Sequence, residues 1–159
     1  MANQLPANRE RIEASVDIDA APADVWKVVS DLRRMGEWSP QCRKMFVFGG
    51  DVKQGTRTLN LNRQGWKWWP TNAVVEAFEP EKKLALRIVE NRSVWTYELE
   101  LTATGTRLTE ARSIPNGVSG TSKFLTKVVL GGPQKFEDEL QAGIESTLQR
   151  IKAEVERAA

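Results

Sequence analysis

The sequence predicts an α+β fold in which an antiparallel sheet packs against one long C-terminal helix. Three patterns predict it: an alternating strand near the N-terminus, a run of short strands and turns from Cys42 to about Pro115, and a helical apolar stripe near the C-terminus. At 159 residues, the chain fits one domain, 1–159, that needs neither a disulfide nor a metal to fold.

The first elements are a strand and two short helices. Apolar and polar residues alternate in RIEASVDID, which predicts a strand with one buried face. A short helix is predicted in AAPADVWKVVSDL, where Pro22 suits the first turn, Asp24 favours the helix dipole and Trp26 belongs to the core. The segment RRMGEWSP, with Gly36 and Pro40, predicts a second short helix or a tight connection.

The central segment predicts an antiparallel meander of about six strands, which brings the whole sheet to about six or seven. Its alternating stretches are separated by turn residues at intervals typical of hairpins, namely Gly49, Gly50, Gly65, Pro80 and Gly105.

The C-terminal segment changes to a helical period. Pro133 marks the start of a helix of over twenty residues, and Gly143 lies at the edge of its apolar stripe. Residues 124–129 indicate a helical turn or two before it, and the Gly- and Ser-rich segment at 114–123 predicts a loop that gates access to the interior. The apolar stripe consists of Phe136, Leu140, Ile144, Leu148, Ile151 and Val155.

Composition excludes several classes of site. The chain has no histidine and one cysteine, Cys42, so zinc-site spacings, His-based triads and an internal disulfide are absent. Without a histidine to activate it, Cys42 is not expected to be a nucleophile. No glycine-rich phosphate loop or ligand cluster predicts a cofactor or a metal.

Charge and hydropathy limit the partners. The 23 basic and 21 acidic residues give a net charge of +2, spread along the chain, so nucleic acid is not an expected partner. No apolar run reaches the ~20 residues of a membrane helix. Residues 1–10 predict a flexible leader without the apolar stretch of a signal peptide, and we expect a cytoplasmic protein.

A strongly curved sheet that holds one helix leaves a hollow suited to apolar small molecules. Segments in a characteristic order carry a resemblance to a known family: APADVWKVVSDLRRMGEWSP, GTRTLNLNRQG followed by Trp69, VVEAFEPEKKLALRI, VWTYELE, GTRLTEAR and GIESTLQRIKAEVE. From about Arg11 to Arg157 the chain resembles the START/Bet v1-like (SRPBCC) helix-grip superfamily, in its bacterial polyketide cyclase/dehydrase-like branch. The resemblance implies a curved sheet wrapped around the long helix, with a cavity between them. Members range from cyclases and aromatases to lipid carriers.

Three tryptophans lie within four residues, in the segment QGWKWWPTN. Strand alternation places Trp69 on one face and Trp66 and Trp68 on the other. The resemblance implies that Trp69 faces the cavity and contacts ligand, although ordinary core packing is the alternative. Trp66 and Trp68 then lie at the hairpin tip or on the outer surface, where a dimer contact, a cavity lip and cross-strand packing all remain open.

Two later strands supply polar candidates. In VWTYELEL, Trp95 and Tyr97 face inward, and the Tyr97 hydroxyl needs either a ligand group or a backbone carbonyl as its partner. In TRLTEARSI, alternation carries Glu110 and Arg112 inward with Leu108, where a carboxylate and a guanidinium are tolerated as a pair. They form the best acid/base candidates, unless this strand end already opens to water.

The segment TLNLNR has two mutually exclusive interpretations. Alternation alone places Leu59 and Leu61 inward, whereas the strand pattern of the resembled family places Thr58, Asn60 and Asn62 inward. We favour the family register, which gives the pocket two amides able to bind substrate oxygens.

The remaining ligand candidates come from helices. Phe136, Leu140 and Ile144 cover the hollow from the C-terminal helix. In the resembled fold, Trp38 and Met35 form a lip opposite the 114–123 loop.

Three functions follow. The leading one is binding of an apolar lipid, acyl or polyketide-like molecule in the central cavity. The alternative is a cyclase, aromatase or dehydratase that uses Glu110, Arg112 and Tyr97 on a polyketide-like substrate. The third is a non-catalytic interaction module in which Trp66 and Trp68 dock a partner protein or a second copy as a homodimer.

Overall fold

A computed structural model of the chain describes residues 11–114 and 133–158. The predicted leader at 1–10 and the helical turns predicted at 124–129 lie outside the described residues, as does nearly all of the loop predicted at 114–123.

The described residues form a seven-stranded antiparallel sheet in the order β1-β7-β6-β5-β4-β3-β2, which confirms the predicted meander. Strands that are adjacent in the sheet are also consecutive in sequence, except that β1 pairs with β7. The strands are β1 (Arg11–Ile18), β2 (Cys42–Val47), β3 (Arg57–Gln64), β4 (Lys67–Glu79), β5 (Lys83–Ile88), β6 (Val94–Leu101) and β7 (Thr106–Ser113).

Two short α-helices follow the first strand, as predicted. Helix α1 (Pro22–Val29) begins with its proline, and a single 3-10 turn (Leu32–Arg34) leads into α2 (Met35–Trp38). Gly36 lies inside α2, where an added Cβ would come within 2.0 Å of the Arg43 carbonyl oxygen. The glycine therefore lets α2 pack against the start of β2.

The long helix α3 (Pro133–Ala158) packs on the inner face of the sheet, with most of its sheet contacts on β1. This arrangement is the helix-grip α+β fold predicted above. The last half of the predicted stripe closes the core tightly, because Leu148, Ile151 and Val155 are all buried. The cavity described below lies at the opposite end of the helix, near Phe136.

Strand β3 adopts the register of the resembled family. Thr58 and Asn60 are buried on the inner face, whereas Leu61 is 36% exposed on the outer face. The interpretation that placed Leu59 and Leu61 inward is wrong. Alternation fixes which residues share a face, but here the polar set is the buried one, because it can pair through hydrogen bonds across to β4.

Candidate functional site

A cavity of about 120 Å³ lies between the inner face of the sheet and the first turns of α3. For scale, an engineered cavity of ~150 Å³ in another protein holds one benzene ring. The wall combines apolar and polar side chains. Its members are Met35, Ser39, Gln41, Cys42, Met45, Asn60, Asn62, Trp69, Thr71, Ala73, Leu86, Ile88, Asn91, Ser93, Trp95, Tyr97, Glu110, Arg112, Phe136 and Leu140.

One side of the cavity is a hydrogen-bonded wall built by β3 and β4. The Thr58 hydroxyl donates to Asn60 Oδ1 at 2.8 Å, and Asn60 Nδ2 donates to Thr71 Oγ1 at 3.3 Å. Asn62 Nδ2 donates to the same threonine oxygen at 3.0 Å and to the Trp69 carbonyl at 3.2 Å. These hydrogen bonds fix the orientation of both side-chain amides before any ligand binds.

Glu110 and Tyr97 form a buried pair in the cavity. They lie directly opposite each other on β7 and β6, and the Tyr97 hydroxyl donates to Glu110 Oε1 at 2.9 Å. Burial raises the pKa of Glu110 to about 8, although the tyrosine hydrogen bond lowers it in part. Burial and the neighbouring carboxylate raise the pKa of Tyr97 well above its ordinary value. Glu110 therefore holds its proton at neutral pH.

The second oxygen of that carboxyl group has a different environment. Glu110 Oε2 is buried, and within residues 11–114 and 133–158 it has no hydrogen-bond partner. A protonated carboxyl group with one oxygen unengaged can donate a hydrogen bond or a proton to a molecule in the cavity.

Arg112 contributes a buried guanidinium. It is 5% exposed, and its guanidinium carbon lies 5.9 Å from the centre of the Phe136 ring. Burial lowers the pKa of Arg112 to about 10, and the charge of Glu137 opposes that shift, so the group stays cationic at neutral pH. The cation therefore lies at the cavity beside an aromatic ring and under the electrostatic influence of Glu137.

The predicted Glu110–Arg112 pair does not form. No ion pair joins the two side chains, both of which the structure describes. Strand register explains this, since Tyr97 stands directly across from Glu110, whereas Arg112 stands across from Trp95. Each charged group is therefore engaged by a different neighbour.

The predicted ligand-binding residues divide into two groups. Most of them line the cavity: Trp69, Asn60, Asn62, Trp95, Tyr97, Phe136 and Leu140. Trp38 and Ile144 do not. Trp38 is buried with the Arg34 guanidinium 4.6 Å from its ring centre, and Ile144 lies one helical turn farther along α3, inside the core.

Several wall residues were not predicted from the sequence. Met45 and Thr71 face inward by the alternation of β2 and β4, and that signal was available once the register of β3 was known. Asn91 and Ser93 come from the β5–β6 turn, where Asn91 Oδ1 accepts hydrogen bonds from the Ser93 backbone N–H and hydroxyl. Nothing in the local sequence distinguishes such turn residues from polar residues that face only water.

Cys42 also lines the cavity, but not as a nucleophile. Burial raises the pKa of its thiol to about 12, which keeps it protonated. The thiol therefore contributes a small apolar surface.

The described part of the chain holds no cluster of three or more side chains suited to a metal ion. None of its helices has the length and apolar character of a membrane span. The described site combines an aromatic and aliphatic wall with a neutral carboxyl group, a guanidinium and several side-chain amides.

Comparison with known proteins gives a consistent result. Residues 9–156 match the family described as "Polyketide cyclase / dehydrase and lipid transport". No curated protein sequence matches the chain significantly.

Solved structures share the fold at low identity. The NMR structure of the KanY protein is 19% identical with a TM-score of 0.68, covering 92% of this chain and 97% of that one. The polyketide cyclase-like protein Cgl2372 from Corynebacterium glutamicum is 24% identical with a TM-score of 0.61, covering 93% and 92%. The di-domain ARO/CYC StfQ of the steffimycin biosynthetic pathway is 13% identical with a TM-score of 0.73, covering 94% of this chain and 51% of that one.

Proposed function

The chain belongs to the polyketide cyclase/dehydrase and lipid transport family, and from that premise we propose that it binds a compact, mainly apolar molecule carrying a polar oxygen. The observation that supports this most directly is the convergence of aromatic and aliphatic side chains with buried polar groups on one hollow.

The size of the hollow defines the ligand body. A volume of about 120 Å³ accommodates one aromatic ring or a short acyl chain. Trp69 and Trp95 supply flat apolar surface on the sheet side, and Phe136 and Leu140 cover it from α3. A polycyclic or long-chain ligand would have to extend beyond this hollow.

The polar groups define the other end of the ligand. Arg112 is a buried cation that suits a carbonyl or carboxylate oxygen. Asn60 and Asn62 suit additional ring oxygens. The proposed ligand class is therefore a small aromatic or acyl compound with a ketone or carboxylic acid group.

Ligand binding is tested first by native mass spectrometry of the protein as purified, which reveals any molecule carried through preparation. A tryptophan-fluorescence titration then compares one-ring aromatic ketones and acids, short fatty acids, long fatty acids and sterols. We expect saturable binding of the compact compounds that carry a carbonyl or carboxyl group. An empty protein that responds to none of them would contradict the proposal.

The Glu110–Tyr97 pair favours a second candidate function, the dehydration of a β-hydroxy ketone. The protonated Glu110 donates its proton to the hydroxyl group, which leaves as water while the α-carbon loses a proton and the double bond forms. The carboxylate formed in this way accepts that α-proton, so the residue ends in its starting state. Arg112 holds the ketone oxygen, where negative charge develops.

Dehydration is tested by following the absorbance of the conjugated product from a one-ring β-hydroxy ketone. Turnover is expected to fall as pH rises past about 8, where Glu110 loses its proton. Glu110→Gln keeps the size and the acceptor for Tyr97 but cannot transfer a proton, so it should lose turnover while retaining ligand binding. Equal turnover in the variant and the parent chain would remove this assignment.

A further inference from the structure

The outer surface around the β3–β4 hairpin exposes large apolar side chains. Trp66 at the turn is 82% exposed, Trp68 is 51% exposed, and Phe46 and Leu61 on β2 and β3 accompany them. Soluble chains rarely leave such side chains clustered in water unless something covers them. We call this surface the hairpin face, made of Lys44, Phe46, Leu61, Arg63, Trp66, Lys67 and Trp68.

The hairpin face is also basic. Residues 42–79, which span β2, β3 and β4, contain six basic side chains and three acidic ones, Asp51, Glu76 and Glu79, a net charge of +3 in a chain whose total is +2. Positive charge is therefore concentrated in these strands, and the rest of the chain is net negative. The basic residues of this segment are Arg43, Lys44, Lys53, Arg57, Arg63 and Lys67.

Cations and rings are interleaved on the hairpin face. The Arg63 guanidinium lies 5.2 Å from the Trp68 ring centre, and the Lys67 ammonium lies 5.7 Å from that of Trp66. The Lys44 ammonium lies 5.3 Å from the Phe46 ring centre. Exposed tryptophan flanked by lysine and arginine is the composition that proteins use at the boundary between lipid headgroups and acyl chains.

The outer face at the other side of the sheet has a different composition. There, Arg107 pairs with Asp17 at 3.0 Å, and Lys83 lies 4.0 Å from Glu98. The opposite charges offset each other, so that surface offers no net attraction to an anion. Of these two described surfaces, only the hairpin face combines unpaired cations with exposed aromatic rings.

We propose that the hairpin face docks the protein on an anionic lipid surface. The three cations of the hairpin face, Lys44, Arg63 and Lys67, complement negative headgroups, and the exposed Trp66 and Trp68 supply apolar anchors. Binding is peripheral and reversible, because the contact consists of side chains on a hairpin.

Two other occupants fit the surface less well. A second copy of the chain would bring the same positive charge against itself in a two-fold contact. Single-stranded nucleic acid needs open aromatic faces for base stacking, whereas the rings here already lie beside cations of the same chain.

Docking also orients the cavity. Asn62 and Trp69, on the inner side of the same hairpin, line the hollow, so contact through Trp66 and Trp68 brings that end of the cavity to the lipid surface. A ligand that enters or leaves the cavity at its Asn62–Trp69 end would then do so next to the bilayer. This last step rests on the proposed binding function, whereas docking itself does not.

Co-sedimentation tests docking directly, with vesicles of phosphatidylcholine alone and of phosphatidylcholine mixed with phosphatidylglycerol. No cavity ligand is added, so a failure of ligand binding leaves this result readable. The parent chain is expected to bind the mixed vesicles and to be released by high salt. Absence of binding to the mixed vesicles, or equal binding to both compositions, would overturn the proposal.

Matched variants locate the contact. Arg63→Gln with Lys67→Gln should weaken binding roughly twentyfold, since each basic residue near an anionic surface contributes roughly fivefold. Lys27→Gln with Arg157→Gln removes the same charge from exposed sites elsewhere and should leave binding within about twofold. If both double variants lose vesicle binding equally, binding depends on the overall charge of the protein, and a local contact at the hairpin face is ruled out.

A second pair of variants tests the apolar anchors. Trp66→Ser with Trp68→Ser should reduce vesicle binding by at least about tenfold. Leu101→Ser, which removes a 73% exposed apolar side chain at the opposite end of the sheet, should have no effect. Native mass spectrometry tests for binding of a second copy, and titration with a single-stranded oligonucleotide tests for binding of nucleic acid. A dimer or an oligonucleotide complex that the tryptophan variant abolishes, with no vesicle binding by the parent chain, would overturn the proposal.

Discussion

The inner and outer faces of β3 and β4 differ in which side chains they bury and which they expose. On β3, Asn60 is 2% exposed and faces the interior, while its neighbour Leu61 is 36% exposed and faces outward. On β4, Trp69 lines the cavity and Trp68 projects from the outer surface. The expected arrangement of apolar inside and polar outside is thus inverted on β3. The strands therefore present two chemically different surfaces, a polar-lined cavity on the inner side and an apolar, basic exterior.

The largest effect that separates the faces should come from Glu110 on the inner face. Its folded-state pKa of about 8 lies above the ordinary 4.5, so between these values the folded protein holds a proton that the unfolded chain releases. The free energy of unfolding should therefore fall by a few kcal/mol as pH rises through this range and then level off. In Glu110→Gln this pH dependence should be largely absent.

Urea unfolding at about pH 5, 7 and 9 measures this effect, with Thr109→Val as the outer-face control. Thr109 is the adjacent residue and shares a hydrogen bond of 2.7 Å with Ser15 on the outer side. The control should keep the pH dependence of the parent chain. A parent chain whose unfolding free energy does not change with pH would contradict a protonated Glu110.

The next largest difference should appear between adjacent residues of β3. Asn60→Ala removes the amide that links Thr58 to Thr71 and leaves a buried hydroxyl without its acceptor, at a cost of about 2 kcal/mol. Leu61→Ala, on the outer face, should change stability by less than about 0.5 kcal/mol. Urea midpoints at constant slope give both values, and similar losses in the two variants would argue against a buried polar wall.

Substitution of the two adjacent tryptophans of β4 should affect ligand affinity differently. Trp69→Ala removes cavity wall and should weaken binding of a compact aromatic ketone by about tenfold, as expected for loss of a buried aromatic contact. Trp68→Ala should leave that affinity unchanged, because its ring lies on the hairpin face. Isothermal titration calorimetry avoids the loss of fluorescence signal, and equal affinities for both variants would place the ligand elsewhere.

The smallest expected effect concerns the hydroxyl of Tyr97. Tyr97→Phe removes the donor to Glu110 Oε1 and should cost about 1 kcal/mol. Because that hydrogen bond lowers the pKa of Glu110, the variant should also move the pH at which stability levels off upward. Unfolding curves across the same pH series measure both changes. A downward movement would contradict the assigned direction of the hydrogen bond.

Much of this molecule follows from sequence alone because its patterns are local. Alternation in β1, the helical stripe from Phe136 to Val155, and the proline at the start of α3 each depend on residues within a few positions. Family resemblance added the order of strands and the inward register of Asn60 and Asn62. These signals also placed Glu110, Arg112, Tyr97 and Trp69 on the inner face.

Tertiary structure decided how those residues are partnered and how much space they enclose. The register between β6 and β7 places Glu110 opposite Tyr97 and Arg112 opposite Trp95. The path of α3 places Phe136 at the cavity and Ile144 in the core. Cross-strand pairing also gathered the cations and rings of β2, β3 and β4 onto one surface. Such outcomes depend on distances between residues far apart in the chain, and periodicity along one strand contains no information about its neighbour.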